Sequence, residues 1–97
     1  MTTQAKTVNL QTLPGGLKFH RATTIALRPD AGGKVHAAAP ELGIWLEGVG
    51  DSESDAIADL ASVIRRYQES LETVTDSECH EYLRLVKNAF TDIVART

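Results

Sequence analysis

The stretch AAPELGIWLEGVGDSESDAIADL, Ala38 to Leu60, decides the fold. Its first residues close an extended segment, and Pro40-Glu41-Leu42-Gly43 turns the chain. Ile44 to Val49 then reads as a short strand that holds the single Trp45. A break at Gly48-Val49-Gly50 follows, and an amphipathic helix starts at once. Ser52, with Asp55 three positions on, has the form of a capping box with Asp in place of Glu. Glu53 and Asp55 lie where a helix dipole favours negative charge. Ile57, Leu60, Ala61, Ile64, Tyr67 and Leu71 recur at helical spacing, with Asp59, Arg65, Arg66 and Glu69 outside the stripe. Such a stripe has to be buried, and the apolar face of a sheet is the surface at hand.

Upstream, Leu17 to Leu27 alternates, with Leu17, Phe19, Thr23, Ile25 and Leu27 on one side, interrupted only by Arg21. Arg28 to Gly33 is a Pro- and Gly-rich hairpin loop, and Lys34 to Ala39 alternates again until Pro40 ends it. Val8-Asn9-Leu10 has the pattern of a brief edge strand before the turn signal Pro14-Gly15-Gly16, whereas residues 1–7 are polar and expected to be loose. Downstream, Thr75-Asp76-Ser77-Glu78 is a capping box. Cys79, Tyr82, Leu83, Val86, Ala89, Phe90, Ile93 and Val94 follow at helical steps. The expected fold is α+β: a three-stranded antiparallel meander, with room for an extra N-terminal strand, followed by two helices in the order β-β-β-α-α. Residues 1–16 form a flexible segment or edge strand, 17–74 the β-β-β-α module, and 75–97 a C-terminal amphipathic helix.

That last helix carries more apolar positions than a solvent-facing one needs. It packs beside the first helix, crosses the free face of the sheet, or meets a copy of itself. A homo-oligomer, dimer or higher, using Tyr82, Val86, Phe90 and Ile93 is the expectation, with packing inside one chain as the alternative.

Ninety-seven residues make one small domain. Aromatic residues are only 5 % of the chain, so the core rests on aliphatic side chains. The net charge of −3 argues against nucleic-acid binding, which needs a concentrated basic surface. The charge is polarised along the chain: no acid precedes Asp30, while Glu47 to Asp59 holds five acids and no base. One cysteine excludes an internal disulfide. The absence of a signal-like segment or a long apolar run points to the cytoplasm, or to a host cytoplasm for a viral protein.

Reactive constellations do not stand out. His20, His36, His80 and Cys79 show no paired-ligand spacing, so no metal is expected, and adjacent Cys79 and His80 on a helix point about 100° apart. The serines have cap or helix roles, and no glycine pair continues into a phosphate-binding loop. An enzyme is not expected, nor is a cofactor. Trp45 reads either as an exposed anchor on the sheet face opposite Ile44 and Leu46 or as core beneath the second helix.

Lys34 to Glu72 resembles the HicB-like antitoxins. Pro40, Leu42, Gly43, Gly50, Asp51, Ser52 and Ala56 match that family's proline, leucine, glycine, Gly-Asp-Thr and alanine positions. FHRATTIALRPDAGGKV, Phe19 to Val35, is similar to its first hairpin. The resemblance implies a partial ribonuclease-H-like sheet without catalytic acids, which oligomerises and covers the active surface of a small toxin ribonuclease. Residues 75–97 supply a single helix where the family usually carries a DNA-binding domain, so operator binding is not carried over. Two functions follow as expectations. In the first, the chain inhibits a protein partner through Trp45, Glu47, Asp51, Glu53 and Asp55, the acids imitating phosphate. In the second, it is a stand-alone oligomer, of a viral anti-defence kind, that inhibits a host defence protein or sequesters a nucleotide-like ligand on Lys18, Arg21, Arg28, Lys34 and Trp45.

Overall fold

The computed structural model describes residues 5–42, 46–72 and 81–95. Four antiparallel strands, β1 (Lys6–Thr12), β2 (Lys18–Pro29), β3 (Val35–Ala38) and β4 (Glu47–Gly50), form one sheet in sequence order. Two helices follow, α1 (Glu53–Glu72) and α2 (Glu81–Ile93). The fold is therefore α+β, and the N-terminal strand joins the meander. It begins at Lys6, two residues before the alternating Val8-Asn9-Leu10 and within the segment expected to be loose, because the polar Lys6 and Thr7 still find partners in Leu27 and Ala26 of β2.

Period-two patterning sets the faces. Phe19, Thr23, Ile25 and Leu27 of β2 and Val35 and Ala37 of β3 are buried on the side where α1 lies, together with Ala56, Leu60, Ala61 and Ile64. Thr23 is the buried polar side chain of this set, and its hydroxyl donates to the Arg21 carbonyl at 3.1 Å.

The strand-to-helix corner is tighter than the sequence suggests. Gly48 and Gly50 read as a break, yet both are members of β4, paired with Ala37 and Val35. α1 explains them. A Cβ on Gly48 would stand 2.1 Å from the Leu60 nitrogen, and one on Gly50 would stand 2.5 Å from the Ala56 nitrogen. Only glycine lets the helix backbone come this close to the strand. Ser52 starts α1 as expected, with the Asp55 N–H donating to its hydroxyl at 3.1 Å and the Ala56 N–H to its carbonyl at 2.9 Å. The other end of the sheet is tied in by Arg65, which donates to the Gly15 carbonyl at 2.9 Å.

α2 packs within the chain. Val86, Phe90 and Ile93 are 3, 3 and 4 % exposed and belong to the same core as Leu17, Phe19 and Leu42. The Phe90 ring lies 5.3 Å from that of Tyr67 on α1. Past the helix, Val94 bridges to Phe19, and the Ala95 N–H donates to the Lys18 carbonyl at 2.8 Å. Three of the four residues expected at a subunit boundary, Val86, Phe90 and Ile93, thus lie in the monomer's own core. Of the apolar side chains described on this helix, Leu85 stays outside, 63 % exposed. The side chain of Tyr82 and the Thr75–Glu78 cap lie outside the described residues.

Candidate functional site

Both helices lie on one side of the sheet, and the opposite side presents the alternate residues of every strand. Thr7 and Asn9 of β1, Thr24, Ala26 and Arg28 of β2, His36 and Ala38 of β3, and Glu47 and Val49 of β4 share this face by register. It is knitted by polar pairs that cross from strand to strand. Asn9 accepts from the Thr24 hydroxyl at 3.1 Å, and Glu41 accepts from the Thr24 N–H at 2.6 Å and from Arg21 at 3.5 Å. Arg28 donates to Glu47 at 3.2 Å. Lys34 pairs with Asp51 across the same end of the sheet.

His36 is the centre of this network. Its Nδ1 is 2.5 Å from a Glu47 oxygen, and its Nε2 is 2.7 Å from an Asp30 oxygen. An imidazole can donate from both nitrogens only when doubly protonated. The hydrogen bond to Asp30, and next that to Glu47, raise the pKa of His36 above its usual value. The same bond to His36, joined by the Lys34 and Gly32 N–H groups, lowers that of Asp30. The Thr24 N–H is the main cause that lowers Glu41. Since the two carboxylates sit on opposite edges of the ring, they do not converge on a shared point. Among the described residues, no group of three or more His, Cys, Asp or Glu is placed to hold a metal ion.

The residues expected to bind a protein partner gather at the end of β4. Glu47 is engaged by Arg28 and His36, Asp51 by Lys34, and Glu53 by Lys6 at 2.9 Å. Asp55 is exposed in the first turn of α1. Folding therefore sets the basic first half of the chain against the acidic corner, and the separation seen along the sequence becomes a mosaic of pairs. Trp45 lies outside the described residues. Within the mosaic sits Val49, 41 % exposed, opposite His36 in the ladder and two residues from Asp51. Alternation along Ile44 to Val49 already sets Val49 with Glu47 on the face opposite Leu46, but a lone valine between two glycines gives no sign that it stays exposed there.

The residues expected to hold a nucleotide are not brought together within the chain. Lys18 and Arg28 stand at opposite ends of β2, about 33 Å apart at strand rise. Arg21, Arg28 and Lys34 each face a carboxylate. A separate pocket of about 340 Å³, between β2 and the two helices, is lined by His20, Gln68, Leu71, Lys87, Phe90 and Val94 among others.

Comparison with family models, with curated proteins and with solved structures finds no match. Four of the residues that carry the HicB-like resemblance have structural work in this chain: Leu42 and Ala56 are fully buried, Gly50 admits α1, and Ser52 caps it. No described helix is long and apolar enough to cross a membrane.

Proposed function

We propose that this chain is a non-catalytic binding protein of the HicB-like antitoxin kind, which neutralises a protein partner by direct contact. The observation that supports it best is the build of the helix-free face around Val49. An exposed aliphatic side chain, held in a strand and ringed by ordered charged groups, is the form of a contact centre with a polar rim. His36, Glu47, Arg28, Lys34 and Asp51 supply that rim. Because the strands and their cross-pairs fix these side chains before any partner arrives, little ordering cost remains for binding.

The acids of the corner act here through exchange rather than as a bare negative patch. The Asp51 side chain is 79 % exposed although Lys34 reaches it. A cation from the partner can replace Lys34 there, and the exposed Asp55, close enough to act on Lys34, adds negative charge beside it. This suits a basic partner surface, such as that of a small RNA-cleaving toxin, and makes association fall as salt rises.

Co-expression with a panel of small toxin ribonucleases of the double-stranded-RNA-binding fold tests this reading. Growth is restored by the wild-type chain against at least one of them and is not restored by Val49→Asp, a change at an exposed position that leaves the fold intact. Failure of the wild type against the whole panel, or equal protection by Val49→Asp, counts against it.

A further inference from the structure

A sheet edge leaves peptide groups unpaired and ready for another strand, and this fold closes most of its edges from within. On β4, Asp59 of α1 accepts the outward N–H of Val49 at 2.9 Å. Where β2 runs beyond β3, Glu41 takes the Thr24 N–H at 2.6 Å, and the Ala95 N–H reaches the Lys18 carbonyl at 2.8 Å. β1 is treated differently. Among the described residues, no side chain or strand bonds its outer edge.

Thr24 shows which groups that edge presents. The N–H and C=O of a strand residue in an antiparallel ladder point to the same side. Thr24 aims its N–H at Glu41, away from β1, so Asn9 opposite it is a non-hydrogen-bonded partner. The main-chain N–H and C=O of Asn9 therefore point outward, and by alternation so do those of Thr7. From Thr7 to Thr12 the strand holds no charge and no proline, the two devices that most often blunt an edge.

We propose that β1 pairs with β1 of a second copy of this chain, antiparallel about a two-fold axis through Asn9, to make one continuous eight-stranded sheet. The pattern around Asn9 is self-complementary. Val8 meets Leu10 of the second copy and Leu10 meets its Val8, both half-buried at the margin of the core and in the non-hydrogen-bonded positions where side chains approach most closely. Thr7 meets Gln11, and Asn9 meets Asn9, on the helix-free face. No like charges are opposed. A slip of two residues one way sets Lys6 against Leu10 of the second copy and the other way sets Val8 against Thr12, so either slip leaves one apolar cross-pair where the register about Asn9 has two. A foreign strand would need a charge or pocket along Thr7 to Thr12 to select it, and that stretch offers neither, whereas an identical strand fits it as it stands. The inference does not rest on the inhibitor reading.

Sedimentation equilibrium over a concentration series tests it, with far-UV circular dichroism as the check on folding. The wild type reaches twice its 10.5 kDa mass. Thr7→Lys with Asn9→Lys places four like charges across the axis and weakens dimerisation about ten-fold or more, with an unchanged spectrum, since both positions are exposed. As a second measurement, Asn9→Cys in a Cys79→Ser background forms a disulfide-linked dimer on mild oxidation, because facing Cα atoms of a hydrogen-bonded pair lie about 5.5 Å apart. Val49→Cys in the same background does not. A wild-type chain that stays monomeric at every concentration overturns the proposal, as does a dimer that neither responds to the lysines nor links at position 9.

Discussion

Replacing Gly48 with alanine perturbs the molecule at its tightest point. The new methyl carbon would lie 2.1 Å from the Leu60 nitrogen, 2.5 Å from the Ala56 carbonyl oxygen and 2.6 Å from the Leu60 Cα. Ordinary contact begins near 3.4 Å, so α1 has to retreat by more than about 1 Å. All three obstacles are backbone atoms of a regular helix, and none can rotate aside. Moving the helix also loosens Leu60 and Ile64, both fully buried against the sheet. Overpacking of this kind costs about 3 kcal/mol or more. In urea, with a slope of about 1–1.5 kcal/mol per molar for a chain of this size, the midpoint falls by roughly 2 M. Gly32→Ala is the matched control: its methyl meets only the Asp30 carboxylate, at 3.4 Å, and its stability stays within about 0.5 kcal/mol of wild type. A Gly48→Ala chain as stable as the control would mean that α1 does not lie on β4 in the way described.

Three other perturbations separate parts of the same account. Phe90→Ala removes a buried ring that meets Tyr67 and lowers stability by about 3–5 kcal/mol in chemical denaturation of the dilute chain, whereas Leu85→Ala, at a 63 % exposed position, changes it by less than about 0.5 kcal/mol. Ser52→Ala deletes the cap hydroxyl and costs about 1 kcal/mol, read as a lower melting temperature. The third concerns pH. His36 has a pKa above its usual 6.5, so its contribution is fully present below that value and is lost as pH rises through the elevated one. Asp30 and Glu41 have lowered values, and their contributions, present above about 4.5, are lost as pH falls. Melting temperature against pH therefore declines on the alkaline side in the wild type, and His36→Gln removes that decline, weakens the Asp30 share of the acid limb and leaves the Glu41 share in place.

Much of this fold is legible in the sequence because its elements carry their own periodicity. The alternation of Phe19, Thr23, Ile25 and Leu27 predicts the buried face of β2, and Ser52 with the stripe from Ile57 to Leu71 predicts α1 and its cap. What is not legible depends on register and distance. Gly48 and Gly50 look like turn glycines, since nothing local announces that a helix backbone will rest on them. Asp51, Lys34, Arg28 and Glu47 look like segregated charges until the β2–β3–β4 register sets cation against anion. The same limit applies to α2: its apolar stripe is plain, but whether Val86, Phe90 and Ile93 meet their own core or another chain depends on how much space the other elements leave. The face of Val49 follows from alternation, and the ladder adds that it lies opposite His36 while its neighbours Gly48 and Gly50 face the helix.

The claim that the helix-free face around Val49 is the contact surface is tested most directly by nuclear magnetic resonance mapping. The labelled chain is titrated with a toxin ribonuclease that it neutralises, and amide shifts are followed residue by residue. The account predicts that Val49, Glu47, His36, Arg28 and Asp51 move together while the outer faces of α1 and α2 stay still. Shifts confined to Leu85 and the exposed side of the helices, with β3 and β4 unmoved, would contradict it.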